Sequence, residues 1–303
     1  MGNSVLLSIC IPTNGIVEWV LPVIDSIYSQ GVDNNEFEVI ITDNGEKDDL
    51  ESQVSCLSYS NFHYYRTTSK GFENQVDAFE KCSGLFCKML NHRSKMIPGS
   101  IKAILQLIKK VQNQKPILYF AEGVVPGDEL IECANIDEFV RIMNYHVSWS
   151  AGTGAWRDDL QNIRNKKIDK MFPHTVYLFG LRKESKYVIW NKEYEQMSDD
   201  AGKGGYDLFD TFAVHFLELI KELKIEGRIC NKTYRLVKWK HFKFLTKLYK
   251  DEVIMPTKHN FIIQNIRKSI GVFYGITGYG FMVISAYALV VKELLVRNMK
   301  RNR

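Results

Sequence analysis

The stretch FCKMLNHRSKMIPGSI, from Phe86 to Ile101, contains the pattern on which the fold prediction rests. It begins as a short apolar run, continues into Asn91, His92 and Arg93, turns at a Pro-Gly pair and then opens a segment with helical periodicity. An apolar run that ends in polar residues and is followed by a helix is typical of a β-α unit. The polar residues at the end of this strand are therefore candidates for a ligand site.

The same alternation extends on both sides of this stretch. The runs VLLSICIP, FEVIITDNG, NFHYYR and PILYFAEG predict further strands, and VEWVLPVIDSIYSQG, KGFENQVDAFEKCSG and PGSIKAILQLIKKVQ predict helices. This order predicts an α/β fold with a mostly parallel sheet and helices on both faces. Ligands of such sheets bind beyond the carboxyl ends of the strands. The polar residues at those ends are Pro12-Thr13-Asn14, Asp43-Asn44-Gly45, Arg66 and Asn91-His92-Arg93.

Six segments over roughly residues 5 to 105 carry a family resemblance. They are LSICIPTNG, LPVIDSIYSQ, FEVIITDNGEKDD, YYR, GFENQVDAFEKCSG and MIPGSI, and their order and spacing resemble those of family 2 glycosyltransferases. The resemblance implies the GT-A fold, a Rossmann-like sheet that binds a nucleotide-sugar. The later segments GTGAWRDD and FPHTVYLF more loosely resemble the abequosyltransferase-like branch, whose members build bacterial surface polysaccharides.

Asp43 is the candidate for binding the nucleotide base. A carboxylate at a strand end accepts a hydrogen bond from a base N–H, and it suits uracil or thymine better than a neutral group does. In the family this aspartate binds the base, and the segment matching Pro12-Thr13-Asn14 lines the same pocket. The alternative is an Asx turn through Asn44 and Gly45 that closes the strand without a ligand.

Three further residues are candidates for the donor site. Arg66, at the end of HYYR, can reach a base or a phosphate. Gly71 and Asn74 open the next predicted helix, where backbone N–H groups and the helix dipole favour an anion. Each of them alone also fits a helix cap or a surface charge.

Asn91-His92-Arg93 stands where members of the family usually carry an Asp-x-Asp that holds a divalent metal. Mg²⁺ and Mn²⁺ prefer carboxylate oxygens, and Arg93 would repel a cation beside it, so we expect no conventional metal site. Two interpretations remain. Either Arg93 and His92 stabilise the departing nucleoside diphosphate in place of the metal, or the site has decayed and the protein binds without catalysis.

Sugar transfer with inversion also needs a general base for the acceptor hydroxyl. In the family an acid fills this role after a Gly-x-x-x-Arg segment, which here contains Gly154 and Arg157. The usual acidic pair is absent, and Asp169 and His174 are the nearest candidates. The alternative for His174 is a structural histidine among aromatic residues.

The C-terminal region, residues 228–303, is basic and aromatic. It holds 16 Lys and Arg against 3 acids, whereas the whole chain has a net charge of +5. Its segment RLVKWKHFKFLTKLYK mixes cations with aromatic residues as interfacial helices do, and no charge occurs from Ser269 to Val291. We predict a helical module that binds an anionic membrane surface as a monotopic element; a single span and a buried helical pair are the alternatives. No nucleic-acid motif accompanies the basic residues.

The sequence thus predicts three parts: residues 1–105, the nucleotide-sugar half of a GT-A domain; residues 106–227, its acceptor half; and residues 228–303, the membrane module. Scattered cysteines and an N-terminus without a basic signal region favour the cytoplasmic side of the membrane. The predicted activity is transfer of a sugar, from a UDP-sugar by preference, to a lipid-linked or polysaccharide acceptor in bacterial surface glycan synthesis. The alternative is an inactive GT-A protein that acts as a nucleotide-binding or assembly subunit.

Overall fold

The computed structural model of the chain describes residues 5–162, 167–197 and 202–301 and divides into two compact units, residues 1–199 and 200–303. The strands of the first unit are β1 (Leu7–Thr13), β2 (Phe37–Asp43), β3 (Phe62–Arg66), β4 (Phe86–Met89), β5 (Ser94–Met96), β6 (Ile117–Phe120), β7 (Leu130–Cys133), β8 (Gly154–Trp156), β9 (Tyr187–Trp190) and β10 (Glu195–Met197). Its α-helices are α1 (Val17–Tyr28), α2 (Asp49–Val54), α3 (Asn74–Glu80), α4 (Ser100–Val111), α5 (Ile136–Met143), α6 (Arg157–Leu160) and α7 (Pro173–Gly180).

The central sheet has the strand order β3-β2-β1-β4-β8, in which the first four strands are parallel and β8 is antiparallel. The predicted α/β fold with a mostly parallel sheet is confirmed. The chain runs from β1 outward through β2 to β3 and then returns to place β4 on the other side of β1. The order therefore reverses between β1 and β4, and ligands of open α/β sheets bind at such a switch point.

The central strands form because both of their faces are covered. Every residue of β2 is buried, and β1 is buried at all positions but Pro12, as expected for inner strands packed between helix layers. On α4 the buried residues Ile101, Ile104 and Ile108 recur at helical spacing and face this core. The predicted strand PILYFAEG forms β6, which belongs to a separate three-stranded sheet, β6-β9-β7, because β8 occupies the edge beside β4.

The second unit is mostly helical. It contains α8 (Leu208–Asp210), α9 (Leu217–Ile225), α10 (Asn231–Tyr249) and α11 (Ile266–Arg301), with π-helical turns at Thr211–Phe216 and Lys250–Ile254, and the parallel strands β11 (Gly204–Asp207) and β12 (Asn260–Ile262). Phe209 of α8 packs in one core with Leu245 of α10 and Met282 of α11. The predicted boundary between residues 227 and 228 lies inside this unit, and the one between 105 and 106 lies inside the first unit. The division into three functional parts stays a prediction.

Candidate active site

The carboxyl ends of β1, β2 and β3 lie side by side in register. Thr13 pairs with Asp43, and Asp43 pairs with Arg66. Backbone bonds continue past the strands, because the Asn44 N–H donates to Thr13 O at 3.1 Å and the Thr67 N–H to Asp43 O at 2.8 Å. The sheet thus brings together three of the predicted site residues at one edge.

The Asp43 carboxylate is fully buried and accepts hydrogen bonds from protein donors. The Gly45 N–H donates to its Oδ1 at 2.7 Å, and the Tyr64 hydroxyl and Arg66 guanidinium donate to its Oδ2 at 2.8 and 3.0 Å. Burial, with the Asp43 carboxylate as the next cause, raises the pKa of Tyr64, which keeps its hydroxyl as the donor. In this conformation Asp43 holds the Gly45, Tyr64 and Arg66 donors in place. Direct contact between Asp43 and a nucleotide base stays a prediction.

Two glycines allow the loops after β1 and β2 to approach this carboxylate. Gly15 has φ +78°, and a Cβ there would lie 2.9 Å from both Asp43 oxygens. A Cβ on Gly45 would lie 2.2 Å from the backbone oxygen of Asn14. Asn14 itself is exposed, and Pro12 lies in β1 opposite Thr42.

Arg66 is the exposed member of this group, with about a third of its side chain in contact with solvent. It also donates to Lys47 O at 3.0 Å and to Gly45 O, and it pairs with the Asp48 carboxylate at 3.3 Å. Its cation therefore remains at the surface of the edge, where an anionic ligand can reach it.

The Asn74 side chain links the ends of β1, β2 and β3 by hydrogen bonds. Its amide nitrogen donates to Thr13 O at 3.0 Å and to Thr42 O at 2.8 Å, and its amide oxygen accepts from the Thr67 hydroxyl at 2.9 Å. The side chain is buried and its polar groups are used within the protein, so the structure gives it a positioning role. Gly71 has φ +55° and opens the short 3₁₀ turn Gly71–Glu73, and its carbonyl accepts from the Asn44 amide at 3.0 Å.

Asn91-His92-Arg93 forms the turn between β4 and β5. The Asn91 Oδ1 accepts from the Arg93 N–H at 3.0 Å, and the His92 Nδ1 lies 2.8 Å from the Thr13 hydroxyl. That contact joins β1 to the end of β4, across the point where the strand order reverses. Burial, with a smaller effect of the Arg93 charge, lowers the pKa of His92 to about 4, so the imidazole is neutral at pH 7.

Arg93 is a buried cation stacked on an indole. Its side chain is buried, and the guanidinium carbon lies 3.2 Å from the centre of the Trp19 ring. Trp19 also meets the His92 ring edge to face at 5.3 Å. Stacking on the indole face stabilises a desolvated guanidinium and fixes its plane.

The two candidates for the general base differ in their surroundings. Asp169 is half-buried, and its Oδ1 accepts the N–H groups of Met171 and Phe172 at 2.8 and 3.0 Å ahead of α7. His174 is buried, with Nε2 at 2.8 Å from Ser148 O and Nδ1 at 2.8 Å from the Gln75 carboxamide. Burial lowers the pKa of His174 to about 4. Both of its nitrogens are engaged inside the protein, which favours the structural interpretation of this residue.

Comparison with known proteins finds a similarity for the N-terminal region. Residues 8–116 match the model described as glycosyl transferase family 2. This part of the chain is therefore similar to family 2 glycosyltransferases. Two relatives described as "Uncharacterized glycosyltransferase" match over 116 residues, one from Rickettsia bellii at 26% identity and one from Rickettsia felis at 25%. Each match covers 38% of this chain but only 16% and 19% of the relative.

Solved structures share the fold at low identity. S. aureus TarS 1-349 in complex with UDP-GlcNAc superposes with a TM-score of 0.61 at 12% identity, over 82% of this chain and 76% of that one. The mannosyltransferase PcManGT from Pyrobaculum calidifontis, in complex with GDP-Man and Mn²⁺, gives 0.52 at 10% identity, over 96% and 79%. The predicted GT-A fold and family 2 resemblance are confirmed. The looser resemblance to the abequosyltransferase-like branch stays a prediction.

The turn Asn91-His92-Arg93 lacks the carboxylate ligands that Mg²⁺ and Mn²⁺ prefer. Within the part of the chain that the structure describes, no three His, Cys, Asp or Glu side chains are placed to hold a metal ion. The Asn91 side-chain oxygen already accepts the Arg93 N–H, and the Arg93 cation occupies the same turn. The independence from metal stays a prediction, and the side chains of this turn support it.

Sequence reasoning missed two residues of the site, Tyr64 and Trp19. Tyr64 precedes Arg66 by two positions, so the strand periodicity already placed both on one face of β3. Trp19 lies in α1, and its contact with Arg93 depends on tertiary packing that no local pattern reveals.

A third missed feature is the buried Lys88 of β4. Its ammonium donates to Met89 O at 2.9 Å and Ala151 O at 2.8 Å and lies 4.0 Å from the Tyr194 ring centre. Burial lowers its pKa, and burial with the nearby Glu195 raises the pKa of Glu122 to about 7. The charge inside the apolar run LFCKML was the signal for it.

Proposed function

We propose that this protein is a glycosyltransferase that uses a nucleoside-diphosphate sugar, with a UDP-sugar favoured. The observation that carries the proposal is the contact between Thr13 and His92 at the switch point of a family 2 glycosyltransferase sheet, with Asp43 and Arg66 beside it on the same edge. The structural neighbour TarS, solved with UDP-GlcNAc, supports the choice of donor class.

Arg93 and His92 take the role of the metal in this proposal. As the bond from the sugar to the diphosphate breaks, negative charge develops on the leaving phosphate, and a preorganised guanidinium stabilises that charge. The Gly15 N–H donates to the Thr13 hydroxyl oxygen at 3.1 Å, which leaves the hydroxyl hydrogen for the His92 Nδ1. The neutral imidazole then carries its proton on Nε2, as a second donor.

Asp169 is the general base we favour for the acceptor. Its carboxylate would take the proton of the acceptor hydroxyl while the oxygen attacks the anomeric carbon and the nucleoside diphosphate departs on the opposite side. His174 is less suited, because its low pKa and its two internal contacts leave no nitrogen to receive that proton.

The acceptor we propose is a lipid-linked saccharide or polysaccharide of bacterial surface glycan synthesis, at the cytoplasmic face of the membrane. Residues 228–303 support this location. They hold 16 Lys and Arg against 3 acids, and their net positive charge is attracted to anionic headgroups. The rival proposal is an inactive nucleotide-binding or assembly subunit, and it is favoured by the missing Asp-x-Asp.

Nucleotide binding tests the donor half of the proposal. Asp43→Asn keeps the shape of the side chain but removes the charge that holds Arg66 and Tyr64, and a charged hydrogen bond contributes about 1.5–3 kcal/mol. We therefore expect calorimetry to show UDP affinity falling by about 10-fold or more. Asp48→Asn is the matched control, because Asp48 also pairs with Arg66 but is 80% exposed. Equal UDP affinities in wild type and Asp43→Asn would contradict the proposed base site.

A donor screen separates the enzyme from the binding subunit. The full chain is mixed with a panel of nucleoside-diphosphate sugars, and release of the nucleoside diphosphate is measured with EDTA and with added Mn²⁺. The proposal predicts release with at least one donor in both conditions. UDP binding without release from any donor and acceptor pair would favour the binding subunit.

A further inference from the structure

Helix α11 is broken at Gly275. This residue has φ 71° and ψ 175°, far from helical values, so the apolar stretch divides into residues 266–274 and 276–301. The straight charge-free part, residues 276–291, is about 24 Å long at 1.5 Å per residue, below the roughly 30 Å of a bilayer core. By length and composition alone Ile266–Arg297 qualifies as a span, but after the break the charge-free part of the helix is shorter than the bilayer core.

One face of α11 is already packed against protein. Met282 and Ala286 are fully buried, in the core that also contains Phe242 and Leu245 of α10. The Lys250 ammonium meets the Glu293 carboxylate at 2.7 Å near the end of the same face. Residues 282–293 of the helix are therefore packed against their own unit, which a helix crossing the bilayer alone would not be.

The opposite face of α11 is apolar and exposed. Its large side chains recur at helical spacing and are about half to two-thirds exposed: Ile276, Phe281, Ile284, Tyr287, Val291, Leu294 and Leu295. Trp239 of α10, 53% exposed, extends this face, because Phe242 stacks between the two helices at 6.5 Å from Trp239 and 5.9 Å from Phe281. A contiguous exposed apolar surface of this kind marks a binding surface.

Cations border the apolar face. Lys243 lies 4.8 Å from the Trp239 ring centre, and Lys292 and Arg297 follow along α11 as exposed residues. Residues 200–303 hold 19 Lys and Arg against 9 acids. A second copy of the chain would bring like charges together at this face, whereas an anionic lipid surface supplies the opposite charge and an apolar layer beneath it.

We infer that this face inserts into one leaflet of an anionic membrane, with α11 lying along the surface and Trp239 at the boundary between headgroups and acyl chains. The inference rests on the membrane-surface part of the proposed function and adds the element, the face and the depth. Because the nucleotide site lies in the other unit, UDP binding reports on the proposed donor site independently.

The depth of Trp239 tests the geometry. Full-length protein and Trp239→Phe are mixed with phosphatidylcholine vesicles with and without phosphatidylglycerol, in which the acyl chains are brominated either near the glycerol or near the methyl end. We expect quenching that requires phosphatidylglycerol, is strongest with bromine near the glycerol and is lost in Trp239→Phe. Strongest quenching from the methyl end, or quenching equal in the two proteins, would overturn the in-plane insertion.

The identity of the face is tested by substitutions. Ile284→Asn should weaken vesicle binding by about 10-fold, because the exposed isoleucine side chain that would enter the apolar layer is lost. Ile225→Asn is the matched control, since Ile225 is as exposed, at 72%, but lies on α9. Equal vesicle binding by both variants overturns the inference, as does a dimer in the absence of lipid that Ile284→Asn abolishes. UDP affinity, measured in parallel, should be the same in wild type and in Ile284→Asn. If the wild-type protein did not bind UDP, that result would count against the proposed function and not against the membrane inference.

Discussion

Arg93 combines burial, a fixed plane and a permanent charge at the switch point of the sheet. Stacking on an indole holds the orientation of a guanidinium, and the N–H groups of a guanidinium suit phosphate oxygens. A lysine in the same place would carry the charge but not the planar stack. These properties support the proposed role of Arg93 beside the leaving group.

We expect Arg93→Ala to lower turnover by about 10²-fold, as for the loss of one preorganised transition-state donor. EDTA should lower the turnover of the wild-type protein less than this substitution does. Arg93→Lys should recover part of the rate, and Lys95→Ala, an exposed cation two residues away, should have no effect. The measurement is nucleoside diphosphate release with and without EDTA. Activity that EDTA abolishes and Mn²⁺ restores would contradict this role of Arg93.

His92 and His174 link stability to pH, because burial lowers the pKa of each to about 4. In the unfolded chain a histidine binds its proton near pH 6.5, so between about pH 6.5 and 4 the unfolded state holds more protons. Stability should therefore fall with acid in this window, by up to about 1.4 kcal/mol per pH unit for each histidine. Urea unfolding of His174→Gln should show a shallower dependence than wild type. His63→Gln, at a partly exposed histidine 3.7 Å from the Glu38 carboxylate, is the comparison variant. An unchanged slope in His174→Gln would count against burial of a neutral imidazole.

At the scale of elements, the ends of β1 and β2 depend on one side chain of α3. The amide of Asn74 satisfies the carbonyl oxygens of Thr13 and Thr42, both of them at the edge where the donor is proposed to bind. Asn74→Ala leaves these buried carbonyls without that donor and should cost about 1–3 kcal/mol of unfolding free energy. UDP affinity should fall with it, whereas Asn35→Ala, which removes an exposed amide, should change neither. Loss of stability with intact UDP affinity would show that Asn74 supports the fold but not the site.

The elements that could be predicted from the sequence are those with a local signal. β1, β2 and α4 follow from continuous burial or helical spacing, and the polar residues at the strand ends follow from the β-α order. The pairing of β11 with β12 joins segments more than fifty residues apart and has no local signal. The break at Gly275 was also hidden, because a glycine inside an apolar run is compatible with a continuous helix. In the site, Asp43, Arg66 and Arg93 follow from the sequence as candidates. The stacking of Arg93 on Trp19 and the hydrogen bond from Tyr64 to Asp43 depend on packing.

At the scale of the whole molecule, charge and chemistry are divided between the two units. The switch-point residues lie in residues 1–199, which hold 21 Lys and Arg against 26 acids, whereas residues 200–303 carry a net positive charge and the exposed apolar face. In the proposed function an anionic donor would therefore bind in a negatively charged unit through a few local cations such as Arg66 and Arg93. In the same proposal the lipid surface would be bound by the other unit, whose net positive charge attracts anionic headgroups.

This division predicts two separate protection patterns in hydrogen exchange. A ligand that binds only the native state slows exchange in the elements it contacts, in proportion to its saturation. UDP should slow exchange in peptides covering residues 12–20, 43–48, 64–75 and 89–96, and vesicles with phosphatidylglycerol should slow it in peptides covering residues 236–245 and 276–297. In Ile284→Asn the second pattern should weaken while the first persists, and in Asp43→Asn the reverse should hold. If UDP protected the peptides of α11, or vesicles protected the strand ends, the two units would be coupled and the separation of their roles would be wrong.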